Sequence, residues 1–144
     1  MNIVNHQLLN QVLSSLSQAQ IRFSDNLSDD LLSDGLIHRF KVAYDLSHKI
    51  LKSHLNESRK NDKQISQMTF QELITEAHQR GILLSGWPEW QLYREQRVQT
   101  IEAFDQVATK KVLSIIPDFI KEVQFLYCLF IDDISILQRR HCHT

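Results

Sequence analysis

The segment REQRVQTIEAFD, Arg94 to Asp105, sets Arg94 and Arg97 one helical turn apart and follows them with Glu102, where a helix packing by its apolar face would carry leucines. Guanidinium groups tolerate partial burial and donate paired hydrogen bonds to planar acceptors, which suits either a phosphate site or a protein contact. With Trp90 as zero on a helical wheel, Arg94 falls at about 40°, Arg97 at about 340°, Ile101 at about 20° and Glu102 at about 120°. Both arginines therefore share the Trp90 and Ile101 face. The competing account is a solvated charged face, with the core served by Leu92, Val98 and Phe104 instead. Arg97 and Glu102 lie about 140° apart, too far round to pair within one helix, whereas a twofold axis brings each to its symmetry mate.

Other cations extend the candidate site. Arg39, Lys49 and Lys52 fall on an earlier helix, and with Arg94 and Arg97 they suit a groove for a nucleotide or RNA phosphate; the alternative is a mixed-charge surface with acids such as Asp45 among them. Asp45 can accept from Arg97 or Arg94 if the two helices face each other. Asp34 reads as a cap or turn residue, and Gly35 as a place for close helix approach. His6, His38, His48, His54 and His78 are scattered without a zinc spacing, and His141, Cys142 and His143 lack further ligands, so no metal and no cofactor is expected. Cys128, in an apolar run, reads as buried and inert.

Positioning these residues requires helices. Three glycines and two prolines punctuate 144 residues, no long stretch alternates apolar and polar, and Leu, Gln, Lys and Glu favour helix. A first helix is expected from about Asn2 to Phe23, with Leu9, Val12, Leu13, Leu16, Ala19 and Phe23 as its stripe. A second runs from about Leu31 to Leu55, its cap drawn from Ser28, Asp29, Asp30 or Ser33. Its two stripes, Ile37, Phe40, Tyr44, Leu51, Leu55 and Leu36, Ala43, Leu46, Ile50, make it central. Glu57 to Gln64 reads as an exposed connection. Thr69 with Glu72 forms a capping-box pattern for a short helix ending at Arg80, where Gly81 takes the left-handed terminal conformation. SGWPEW opens a fourth helix, with Pro88 in its first turn. A fifth, from about Asp105 through Val112, Ile115, Ile116, Phe119, Val123, Leu126 and Phe130, keeps phase across Pro117 as one kinked helix.

The expected architecture is all-α: an antiparallel four-helix up-and-down bundle with an additional short helix, in a single domain of residues 1–144 whose stretch 131–144 is a C-terminal extension. A formal net charge of -1 argues against a bulk-basic nucleic-acid binder. FLYCLFIDDISIL is broken by Asp132 and Asp133 and falls short of the roughly 20 apolar residues that span a bilayer, so no membrane segment is expected. No signal core opens the chain, and the two cysteines suit a cytoplasmic location.

The segment LLSDGLIHRFKVAYDLSHKILKSHL, Leu31 to Leu55, resembles the second helix of small HEPN-like proteins described as nucleotidyltransferase substrate-binding subunits. The likeness rests on Asp34, Gly35, Ile37, Arg39, Phe40, Tyr44, Asp45, Leu46, Lys49, Leu51, Lys52 and Leu55. EAHQRGIL is similar to that family's third helix, and Trp90 stands seven residues before Arg97, the position of its signature arginine. The resemblance implies a five-helix bundle, a homodimer, and a complex with a minimal nucleotidyltransferase. In many relatives the pair forms a toxin and antitoxin, the HEPN partner being a metal-independent ribonuclease that uses an arginine, an adjacent polar residue and a histidine at the dimer interface. A nearby tyrosine there can be nucleotidylated.

Carried onto this chain, the motif keeps only Arg97. Val98 stands at the polar position, Glu102 at the histidine position and Phe104 at the tyrosine position. Metal-free ribonucleolysis needs a group that titrates near neutral pH and cations that hold the phosphate. A carboxylate about 4 Å from a phosphate, at an effective dielectric of about 20, is repelled by about 4 kcal/mol, enough to cancel the contribution of Arg97. The expected function is a non-catalytic subunit that dimerises, binds a minimal nucleotidyltransferase and presents its nucleotide or RNA substrate. The alternative is a ribonuclease toxin with a degenerate active site.

Overall fold

The computed structural model describes residues 3–57, 67–99 and 106–134. These form five helices and no strand: α1 (Ile3–Asp25), α2 (Asp30–Glu57), α3 (Phe70–Gln79), α4 (Trp87–Gln99) and α5 (Gln106–Ile134). Glu102, Phe104, the connection after Glu57 and most of 131–144 lie outside the described residues, as does the Asp105 start expected for the fifth helix.

α1 ends in a short turn closed by the Asn26 amide donating to the Phe23 carbonyl at 3.0 Å, and α2 returns beside it. The cap of α2 is Asp29, whose Oδ1 accepts from the amides of Leu31 at 2.9 Å and Leu32 at 3.2 Å, supplying partners for donors that the helix itself leaves open. Asp34, expected at a cap or turn, instead lies inside the helix with its side chain exposed. Gly35 likewise departs from expectation: a Cβ built there meets nothing within 4 Å, so no helix approaches it.

Each stripe buries itself as helical periodicity dictates. Leu9, Leu13, Leu16 and Ala19 of α1, Leu36 to Leu55 of α2, and Val112, Ile116, Phe119, Val123 and Leu126 of α5 join one core with Leu73, Ile74 and Ala77 of α3. Val12, Phe23 and Leu46 are only partly buried at its margin. α5 packs on α1, α2 and α4, and it continues as helix through Pro117.

α3 is bounded by local chemistry at both ends. Thr69 and Glu72 form a reciprocal capping box, with the Glu72 amide donating to Thr69 Oγ1 at 3.2 Å. At the other end the Ile82 amide donates to the Ala77 carbonyl at 2.9 Å and Gly81 to His78 at 3.0 Å. This closure puts Gly81 at φ 76°, a left-handed conformation that costs glycine little. The chain then turns into α4.

Candidate functional site

α4 is positioned by its aromatic residues. Trp90, wholly buried, meets Phe119 at 5.9 Å and Tyr93 at 5.4 Å between ring centroids, both edge-on. Tyr93 in turn stands 5.3 Å from Phe119. Burying a large ring removes roughly 150–250 Å² from water, an upper bound of about 4–6 kcal/mol that dwarfs a surface ion pair. The rings therefore decide which way α4 faces. Trp90, Tyr93 and Gln96 point inward, while Leu92 and Val98 remain 41% and 59% exposed. The account that assigned Leu92 and Val98 to the core does not hold.

That rotation leaves the arginines at the seam with α2. Arg97 donates from Nε to Asp45 Oδ1 at 3.0 Å and from Nη2 to Asp45 Oδ2 at 2.9 Å, a fork-to-fork pair between residues 52 apart in the chain. The carboxylate holds the proton of Arg97 more firmly than usual. Arg94, one turn earlier, lies with its guanidinium carbon 5.3 Å from the centre of the Phe70 ring, a cation on an aromatic face. His48 meets the same ring edge-on at 4.7 Å.

Burial disfavours the ionised forms beneath this surface. It pushes the Tyr44 phenol up to about 12, an effect Arg94 partly offsets. It also lowers the pKa of His48; Lys52 adds to that direction, Asp45 opposes it, and Arg94 adds to it again. Tyr44 is packed among Phe40, Phe70, Trp90 and Phe119.

The remaining candidates divide by face. Lys49 and Lys52 are exposed and lie within about 40° of Asp45 around α2. Arg39 sits about 120° away and donates from Nη1 to the Ser15 carbonyl of α1 at 2.8 Å, so it ties α2 to α1 and leaves the group at the α4 seam. Trp87, Gln91, Arg94, Glu95, Val98 and Gln99 line an open groove of about 390 Å³ along the outer face of α4. Among the described residues no three of His, Cys, Asp or Glu gather as metal ligands, and no helix is long and apolar enough to cross a membrane. Cys128 is half-buried rather than enclosed, and it is not a free thiol.

Two features escaped the sequence reading. His48 was one of several scattered histidines, yet it stands one turn from Asp45 on the same helix. Glu122, only 1% exposed, accepts from the Ser85 amide at 3.4 Å at the turn leading into α4. Burial raises its pKa, and the hydrogen bonds from Ser85 partly offset the rise. The available signal was its place three residues after Phe119 and four before Leu126, inside an apolar stripe.

The chain belongs to the family described as nucleotidyltransferase substrate binding protein like, whose model matches residues 5–129. It is 30% identical over 131 residues to the probable ribonuclease HepT of Haemophilus influenzae, a match covering 85% of this chain and 89% of that protein. A solved structure from the same organism, described as revealing the fold of a substrate binding domain of a nucleotidyltransferase, superposes with a TM-score of 0.79. It is 28% identical, with 85% of this chain and 96% of that one covered.

Proposed function

We propose that this protein is a non-catalytic subunit that dimerises, binds a minimal nucleotidyltransferase and presents that enzyme's nucleotide or RNA substrate. The observation that carries the reading is the Arg97–Asp45 pair. The arginine at the family's signature position has two of its donors committed to a carboxylate of its own chain, at 2.9 and 3.0 Å, so those donors hold a seam together and are not offered to a scissile phosphate. Next to it, Val98 can neither donate nor accept a proton, and its 59% exposure on a groove-bearing face suits a protein contact. Glu102 and Phe104, by residue type alone, supply neither a proton carrier near neutral pH nor a hydroxyl for nucleotidylation.

The name of the HepT relative supports a second reading, a ribonuclease toxin with an altered site. Two measurements separate them. Sedimentation equilibrium of the purified chain, alone and with a minimal nucleotidyltransferase, is expected to give a dimer and then a mixed complex, with dimerisation weakened at least several-fold in Arg97→Ala. An RNA cleavage assay without metal is expected to show no turnover. Robust cleavage abolished by Arg97→Ala transfers the assignment to the nuclease, and a monomer that ignores the nucleotidyltransferase ends the first reading.

A further inference from the structure

Helices α2, α3 and α4 converge on one ring, Phe70. His48 of α2 meets it edge-on at 4.7 Å, with the ring planes at 77°, and the Arg94 guanidinium of α4 lies 5.3 Å from its centre. Trp87 closes a third side at 5.9 Å. Both polar groups are thus held by the same half-buried aromatic support, one from each wall of the seam. Lys52 lies one turn beyond His48 on α2 and is exposed.

The charge balance favours an anion here. Asp45, the carboxylate on this face of α2, already uses both oxygens on Arg97. No carboxylate among the described residues forms an ion pair with Arg94 or Lys52. Glu95 shares the outer groove of α4 with Arg94, but it is turned about 100° around the helix and is not among the charges acting on His48. The groups facing the His48 imidazole are therefore Asp45 and Lys52 from α2, Arg94 from α4 and the uncharged Phe70 ring from α3.

We infer that His48, Arg94 and Lys52 form an anion site for a phosphate group of a nucleotide or RNA strand, and that His48 takes up a proton as the phosphate docks. Without a ligand, burial and the cations of Lys52 and Arg94 disfavour the charged imidazole, against the opposing pull of Asp45. A phosphate placed among the three side chains offsets the cationic repulsion and accepts a hydrogen bond from the imidazolium, so the charged form is favoured only in the complex. Binding then strengthens as pH falls through the neutral range, because a proton is bound with the ligand. This deepens the substrate-presenting part of the proposed function and rests on it.

The test is isothermal titration calorimetry of the full chain with three probes: a short single-stranded oligoribonucleotide, adenosine 5′-monophosphate, and inorganic phosphate. Each is run at neutral pH in two phosphate-free buffers of different ionisation enthalpy, and again at pH 6 and 8. The expected result is binding of the oligoribonucleotide or the mononucleotide with net proton uptake, several-fold tighter at pH 6 than at pH 8. Tighter binding of the oligoribonucleotide assigns a strand, and equal binding assigns a single nucleotide. His48→Gln should abolish the uptake while keeping the helical circular dichroism spectrum, and Arg94→Ala should weaken binding about tenfold. No binding of any probe, proton uptake that survives in His48→Gln, or binding confined to inorganic phosphate overturns the inference. Complex formation with the nucleotidyltransferase is measured separately by sedimentation. An intact complex without binding of the oligoribonucleotide or the mononucleotide removes this site alone, while binding of either without a complex removes the partner reading alone.

Discussion

Arg97 and Glu122 are two charged residues whose surroundings give them opposite energetic roles. The partner of Arg97, Asp45, keeps 58% of its side chain in solvent, so water screens the pair despite its good geometry. Arg97→Ala is expected to cost less than about 1 kcal/mol of folding stability, a size typical of exposed pairs, so a large fall in association would reflect the surface it organises. Glu122 is enclosed, and its ionised form is the disfavoured one. Its folded pKa is raised above the ordinary 4.5, so the unfolded chain ionises first as pH rises. The stability associated with the protonated carboxyl is fully present below the unfolded value and is lost as pH climbs through the folded one. Glu122→Gln, which retains an acceptor for the Ser85 amide but cannot ionise, should gain on the order of 1 kcal/mol over the wild type at pH 7 and nothing near pH 4. Paired urea denaturation curves at the two pH values check this, and an identical difference at both would refute the role given to the carboxyl.

At the scale of elements, local signals were read most reliably where they close a helix. Thr69, Glu72 and Gly81 specify both ends of α3 by short-range hydrogen bonds that need no tertiary partner. The stripes of α1, α2 and α5 were equally plain, because their apolar residues recur on one side. α4 lacks such a stripe: Trp87, Trp90, Leu92, Tyr93 and Val98 spread around the wheel, so periodicity alone leaves its rotation undetermined. The large rings then prevail over the smaller aliphatic groups because they bury more area. Gly35 has open space around it where its small size suggests a packing role. A glycine inside an exposed helical stretch carries an entropic penalty without compensation, so Gly35→Ala should stabilise the protein by about 0.5–1 kcal/mol, read as a rise of a few degrees in the thermal midpoint. A fall in the midpoint would mean that this position is covered in the assembled protein.

For the whole molecule, the question is what the α2–α4 face does. It sets exposed Val42 and Val98, at 41% and 59%, among Lys49, Arg94 and the Arg97–Asp45 pair, beside the open groove of α4. Apolar residues among arginines match the composition of protein interfaces. Val98→Asp should leave the monomer's stability within about 0.5 kcal/mol, as exposed substitutions do, while weakening the proposed dimer by tenfold or more through a charge buried on association. Sedimentation equilibrium gives the dissociation constant, and an unchanged value would move the interface to another face. The sequence by itself determined the helices, both ends of α3, the apolar faces of α1, α2 and α5 and the family, since these depend on spacing over a few turns or on matching residues in order. Only the tertiary structure decided that Asp45 would meet Arg97 across 52 residues and that His48 and Arg94 would share Phe70. Periodicity states which side of a helix avoids water, but the partner of its polar edge depends on how large side chains from distant segments fill a common core.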